Sequence, residues 1–225
     1  MTDLPPVIVF DVNETLSDMS PIAERFTDVG APAHLAPLWF AGLLRDAFGL
    51  TAAGTSERFA ALADGALRTT LHGVTLAPGR DVDAAVAHVL DGFAQLPVHP
   101  DVPDGVRALR ATGARLVTLS NGSAQVAEQL LGRAGIREEF ERLLSVEDAG
   151  VWKPAPASYA YAAAECGVDP AEMMLVAVHP WDVDGADRAG LTTAWVNRTG
   201  APYPGHHRPP GRTVAALTDL AASPG

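Results

Sequence analysis

At 225 residues the chain has room for one large domain, or a core with an inserted module, and can bury an apolar core without staples. A formal net charge of −11 argues against nucleic acid or an anionic membrane as partner, and no apolar run approaches a membrane span. Cys166, the only cysteine, excludes an internal disulfide and fits a reducing, cytoplasmic setting, while the start Met1-Thr2-Asp3-Leu4-Pro5-Pro6 lacks the basic region of a secretory leader.

The first element is Val7-Ile8-Val9-Phe10, a short apolar run that reads as a buried strand, with Asp11 standing where it ends. From about Pro21 to Leu96 the chain is helical and Ala-rich in character. Leu38 to Phe48 is strongly apolar, broken by Arg45-Asp46. Ser56 to Leu71 and Asp81 to Leu96 repeat apolar residues near helical spacing, among them Phe59, Leu67, Val86 and Phe93. No strand signal interrupts them, which predicts a helical module at 18–96, inserted after the first strand.

Beyond Pro97 strands and helices alternate. A helix over Pro103 to Thr112 precedes a strand at Arg115 to Leu119, which ends at Ser120-Asn121-Gly122. Ser123 caps the next helix and Gly135 terminates it. Leu143 to Val146 reads as a short strand, followed by a loop carrying Lys153-Pro154 and a helix through Tyr159 and Ala163 that ends near Gly167. Met174 to Val178 is the next buried strand, ending at His179-Pro180-Trp181-Asp182, and Thr192 to Val196 is the last. Gly200 to Gly211 is a Pro- and Gly-rich loop. The alternation predicts an α/β fold, a mostly parallel, doubly wound sheet with helices on both faces, built from residues 1–17 and 97–225. In such sheets ligands bind outside the carboxyl ends of the strands.

Asp11, Ser120-Asn121, Lys153 and Asp182 all fall at or just past those ends, and Lys153 is the only lysine in the chain. Singly, each has a plain structural reading: Asp11 and Asp182 as helix caps, Ser120 and Asn121 as turn formers, Lys153 as a solvated charge. Together, in this order and with these flanks, they resemble the haloacid dehalogenase superfamily of hydrolases, and within it the type II (L-2-haloacid) dehalogenases. The resemblance spans nearly the whole chain and implies a Rossmann-like core with an all-helical cap. Phosphatases of that superfamily place a second Asp two residues after the nucleophile, where this chain has Asn13, which cannot transfer a proton. They also supply a metal-binding carboxylate at the position of Val178.

The resemblance implies that Asp11 displaces halide from C2 of a short 2-haloalkanoic acid and forms an aspartyl ester, which water then hydrolyses at the Asp11 carbonyl. Covalent catalysis of this kind splits one hard step into two, and alignment of the carboxylate contributes up to ~7–11 kcal/mol. Lys153 would keep Asp11 ionised, Thr15 would orient it, and Tyr159 would support Lys153. Ser120 and Asn121 would hold the substrate carboxylate, with Val12, Asn13, Trp39, Phe40 and Trp181 around them. Asp182 would orient or activate the water. His179 stands where the family has Asn, and is either a proton acceptor for that water or a structural histidine. No cofactor and no metal are implied.

One departure concerns the halide. The family carries an Arg directly after a Leu-Trp pair, whereas Leu38-Trp39 is here followed by Phe40. Arg45 from a later turn, or the ring edges of Trp39 and Phe40, are the candidates to replace it. The remaining histidines, His34, His72, His88, His99, His206 and His207, lack metal-ligand spacing and read as surface or packing residues. The family often forms homodimers through its cap, and the apolar Leu35 to Phe48 stretch would suit that contact. Two other readings stay open: a phosphatase of this fold using Glu14 or substrate-assisted protonation, and a non-catalytic domain that binds a small acid or a partner.

Overall fold

The computed structural model describes residues 4–222; Met1–Asp3, part of the start read above for a leader, lie outside the described residues. Four consecutive apolar residues make β1 (Val7–Phe10), all fully buried. A strand apolar on both faces belongs in the middle of a parallel sheet. Parallel pairing joins it on one side to β2 (Arg115–Ser120) and on the other to β4 (Met173–Ala177), with Val7 level with Arg115 and with Met173. β3 (Phe140–Ser145) pairs with β2, β5 (Thr192–Val196) with β4, and β6 (Arg212–Val214) with β5. The order is β3-β2-β1-β4-β5-β6, and every pairing is parallel. Chain direction across the sheet reverses between β1 and β4, so the crevice of this doubly wound sheet opens at their carboxyl ends.

Alternation along β1 divides the apolar residues between two faces. Ile8 and Phe10 point to a cluster with α5 (Val102–Ala111), α6 (Ala124–Arg133) and α10 (Leu217–Ala221), whose members include Val106, Leu109, Leu131 and Leu217. Val7 and Val9 point to the other cluster, which takes in α8 (Pro156–Cys166) and α9 (Pro180–Arg188) and continues into the helices between β1 and β2. Those helices are α1 (Ile22–Asp28), α2 (Leu35–Ala52), α3 (Phe59–Leu71) and α4 (Val82–Ala94). Trp39 is their hub: fully buried, about 6 Å from the rings of Phe26, Phe40 and Phe93, and donating its Nε1–H to the Ala63 carbonyl. The chain leaves and re-enters the sheet through adjacent segments, with Ser17 bridged to Val98 and the Asp18 N–H donating to Pro97 O at 2.8 Å.

Several boundaries differ from the sequence reading. β3 starts at Phe140 rather than Leu143, because the exposed Glu141 and Arg142 mask its apolar pattern; Val146 opens the one-turn α7 (Val146–Ala149). β4 ends at Ala177 because the Val178 N–H leaves the ladder for Thr15 Oγ1. β6 and α10 gave no signal, one being a three-residue edge strand and the other five residues long. Among the described residues, no helix is long and apolar enough to cross a membrane.

Candidate active site

Asp11 follows β1 directly and is buried, 2% exposed. Its two oxygens have different partners. Oδ1 accepts from Lys153 Nζ at 2.9 Å. Oδ2 accepts from Thr15 Oγ1 at 2.6 Å and lies 3.0 Å from His179 Nδ1. Burial opposes ionisation of Asp11, but the Lys153 charge and the His179 and Thr15 contacts hold its carboxyl well below the usual carboxylate range.

Lys153 is also fully buried and reaches Asp182 Oδ2 at 2.6 Å, so one ammonium bridges two carboxylates. Burial works against its charge, yet Asp11 and Asp182 together raise its pKa above the ordinary value. Tyr159 does not support Lys153 by touching it. Its hydroxyl donates to Asp182 Oδ1 at 2.6 Å and lies 3.1 Å from the Asp182 carbonyl, so its support passes through Asp182. Asp182 itself sits inside the first turn of α9, where it meets Lys153 and Tyr159 instead of capping. Burial first, and then the Asp11 charge, push its pKa up against the pull of Lys153. Gly185 makes this packing feasible: a Cβ there would stand 2.6 Å from Pro154 Cβ and 2.7 Å from Tyr159 Oη.

After β2, the turn at Ser120–Gly122 forms a second wall. Ser120 Oγ accepts the Gly122 N–H at 2.9 Å, leaving its own O–H to donate outward. Asn121 Oδ1 accepts the Lys153 N–H, while its Nδ2 is buried without a partner. Ser120 Oγ, Asn13 Nδ2 and a Phe59 ring carbon converge within 4 Å of the point where a Cβ on Gly122 would lie. Val12 does not join them: its side chain packs beneath the sheet with Phe10 and Leu16.

The third wall is formed by His179, whose Nε2 lies 2.7 Å from Glu14 Oε2 and whose ring stacks on Trp181 at 4.9 Å. Burial disfavours the charged ring, but hydrogen bonds to Asp11 and Glu14 outweigh it and push the pKa up to about 9. A cavity of about 500 Å³ opens beside this wall, lined by Glu14, His179, Phe40, His99 and Arg198 among others. Phe40 thus reaches the site region from the helical module. Trp39 does not, being spent on the packing of that module, and Arg45 is exposed and paired with Asp46.

Two neighbours escaped the sequence reading. Trp152, just before Lys153, donates to the Glu57 carbonyl and stacks on Phe59, which in turn stacks on Phe93, so these rings cover the crevice from the helical side. Arg198 donates to the Thr15 carbonyl and pairs with Asp101 at 3.2 Å, while its Nε and Nη1 are buried without partners. The sequence marks Trp152 only by its place next to Lys153, and it marks Arg198 only as a cation just past the β5 strand.

The pattern described as haloacid dehalogenase-like hydrolase matches residues 5–190. The chain is 31% identical over 213 residues to an (S)-2-haloacid dehalogenase of Pseudomonas sp. (strain YL), covering 93% of this chain and 90% of that one. It is 30% identical over 213 residues to haloacetate dehalogenase H-2 of Moraxella sp. (strain B), covering 93% of each. Among solved structures, an L-2-haloacid dehalogenase of Xanthobacter autotrophicus with chloropropionic acid covalently bound superimposes with a TM-score of 0.85 at 26% identity, over 97% of each chain. A buried Asp–Lys pair at the switch point of a doubly wound sheet, together with these matches, makes the chain a member of the haloacid dehalogenase-like hydrolase family.

Proposed function

We propose that this protein hydrolyses short 2-haloalkanoic acids to 2-hydroxy acids and halide through an ester on Asp11. The observation that supports this most is the 2.9 Å contact between Asp11 Oδ1 and the buried Lys153 ammonium. It keeps a carboxylate ionised and desolvated at a ligand crevice, which is what in-line displacement of a good leaving group requires. Oδ1 carries one donor and Oδ2 two, so Oδ1 has the freer lone pair for attack on C2. The unpartnered Asn121 Nδ2, the Ser120 hydroxyl and the Asn13 amide supply donors for the substrate carboxylate. Asp182 and Tyr159 hold Lys153 between the two acids. Thr15 steadies Oδ2, and Phe40 and Trp181 shape the side nearest the cavity.

The donor set around Asp11 fits a metal-free reaction. Ammonium, hydroxyl and imidazole take up its oxygens, and Val178 stands where a phosphatase supplies a carboxylate. Residues 18–96 act in this reading as a cap over the sheet at 1–17 and 97–225, supported by the paired crossover at Ser17 and Val98. Leu38, 59% exposed on α2, is the apolar position open to a homodimer contact through that cap, and the single buried Cys166 suits the cytoplasm. The test is halide release from 2-chloropropionate with and without a chelator. Equal release in both supports the reading; magnesium-dependent phosphate release from phosphate esters, without halide release, contradicts it.

A further inference from the structure

The hydrolytic water needs a base, and Asp182 is less well placed for that than the groups on the cavity wall. Oδ1 takes the Tyr159 hydroxyl and Oδ2 the Lys153 ammonium, each at 2.6 Å, and the side chain is fully buried. On the other side of Asp11 the His179 side chain is 12% exposed and the Glu14 side chain 42%, both on the wall of the cavity. Glu14 is held there at a backbone cost. Its φ of 61° is the one positive value at a non-glycine among the described residues. That turn is pinned from both ends, its N–H donating to Ser17 Oγ and its carbonyl lying 3.0 Å from His99 Nε2. A strained residue fixed so firmly, with its carboxylate aimed at an imidazole that touches the nucleophile, has the arrangement of a base and its orienting partner.

We propose that Glu14 and His179 form the catalytic pair of the second half-reaction: His179 takes the proton of the water that hydrolyses the Asp11 ester, and Glu14 positions the ring. The inference rests on the dehalogenase reading and supplies its water activation. In the resting enzyme both ring nitrogens face carboxylate oxygens, so the doubly protonated ring donates to Asp11 and Glu14 and is not yet a base. Attack by Oδ1 expels halide and leaves Asp11 as an uncharged ester, removing one of the two charges that hold the second proton. The ring releases that proton to the cavity. Glu14 then keeps the tautomer in which Nε2–H donates to Oε2 and Nδ1 offers its lone pair beside the ester carbonyl.

A water there gives a proton to Nδ1 as its oxygen bonds to Asp11 Cγ. The charge that develops on Oδ2 is met by the Thr15 hydroxyl, 2.6 Å away. The Cγ–Oδ1 bond breaks, and Oδ1 leaves with C2 as an alkoxide that takes a proton from Nδ1. The Asp11 acid left behind protonates the ring and restores the starting pair. One proton of the water ends on the product hydroxyl and the other on His179, balancing the one released earlier. The charged groups directly facing the ring are Asp11 and Glu14; Asp18, His99 and Arg198 share the cavity wall.

The test mixes wild type, His179→Asn, Glu14→Gln and Glu14→Gly with excess 2-chloropropionate, quenches in acid, counts halide and hydroxy acid separately, and weighs the Asp11 peptide. His179→Asn is expected to give a stoichiometric halide burst, hydroxy acid release slowed ~10²–10⁴-fold, and Asp11 carrying the ester. The Glu14 variants are expected to slow hydroxy acid release by about 10-fold and to shift its pH profile to lower pH, because the ring has lost a carboxylate. Glycine is at ease at this φ, so Glu14→Gly separates the lost carboxylate from backbone damage. Halide and hydroxy acid slowed in step in the folded variants, with no ester on Asp11, would overturn the pair and leave the dehalogenase reading standing. Absence of halide release from wild type would overturn that reading and the pair with it.

Discussion

The two oxygens of Asp11 face opposite kinds of surroundings. On the Oδ1 side, Lys153, Asp182 and Tyr159 form a closed network in which every side chain is fully buried and each carboxylate oxygen of Asp182 accepts a short hydrogen bond. On the Oδ2 side, His179 and Glu14 lie against an open cavity, and the ring's charge depends on Asp11 itself. A dry ion network is costly to break because removing one member strands the others. A wet, titratable pair tolerates change better and can alter its protonation during a reaction cycle. The difference assigns the first side to holding the nucleophile ready and the second to moving protons.

The member common to both sides gives the largest effect. Asp11→Asn should cut steady-state halide release on the order of 10⁴-fold or more, as loss of a nucleophile does; a variant that stays active without deamidating would refute the assignment. Next comes the dry side. Lys153→Met leaves Asp11 and Asp182 close together without a cation, so denaturant unfolding should show a loss of about 3–5 kcal/mol along with loss of turnover. Unchanged stability would mean the network is not what the contacts indicate.

On the wet side the effect is pH-dependent. The folded His179 titrates at about 9 against an ordinary 6.5, so its contribution is complete below about pH 6.5 and is lost as pH rises through about 9. The linked stability is about 3 kcal/mol. Asp11 has the opposite sign: held below its ordinary value, it stabilises above about pH 4 and ceases to do so only in stronger acid. Melting temperature should therefore fall between pH 6.5 and 9 in wild type, and the fall should vanish in His179→Asn. The smallest effect belongs to Tyr159→Phe, which removes one hydrogen bond to a buried carboxylate and should lower turnover by about 10-fold, in keeping with ~1.5 kcal/mol. Complete inactivity would give Tyr159 a direct part in the chemistry.

How far these features were legible varies with their physical origin. β1, β2, β4 and β5 announce themselves as apolar runs because both faces of a central parallel strand are buried. Asp11, Ser120 and Asn121 follow from strand ends that the sheet brings together, whereas Lys153 lies past α7 on a loop tied to Asn121 by its N–H. Asp182 was legible as a position but not in its contacts, which depend on the close approach that Gly185 permits. His179 alone reads as a candidate proton acceptor, but its pairing with Glu14 was not legible. It needs a left-handed turn at a residue whose type disfavours one, and a contact across 165 positions of sequence. Trp39 misled in the other direction: its neighbourhood in sequence resembles a substrate wall, but a large ring in an Ala-rich helical module is needed for packing.

Single turnover in heavy-oxygen water tests the central claim most directly, because it asks which carbonyl the water attacks. With Asp11 held against Lys153 as the nucleophile, the label should appear in the Asp11 side chain and be absent from the first hydroxy acid released. Label confined to the hydroxy acid, with Asp11 unlabelled, would show water attacking the substrate itself and would contradict the account.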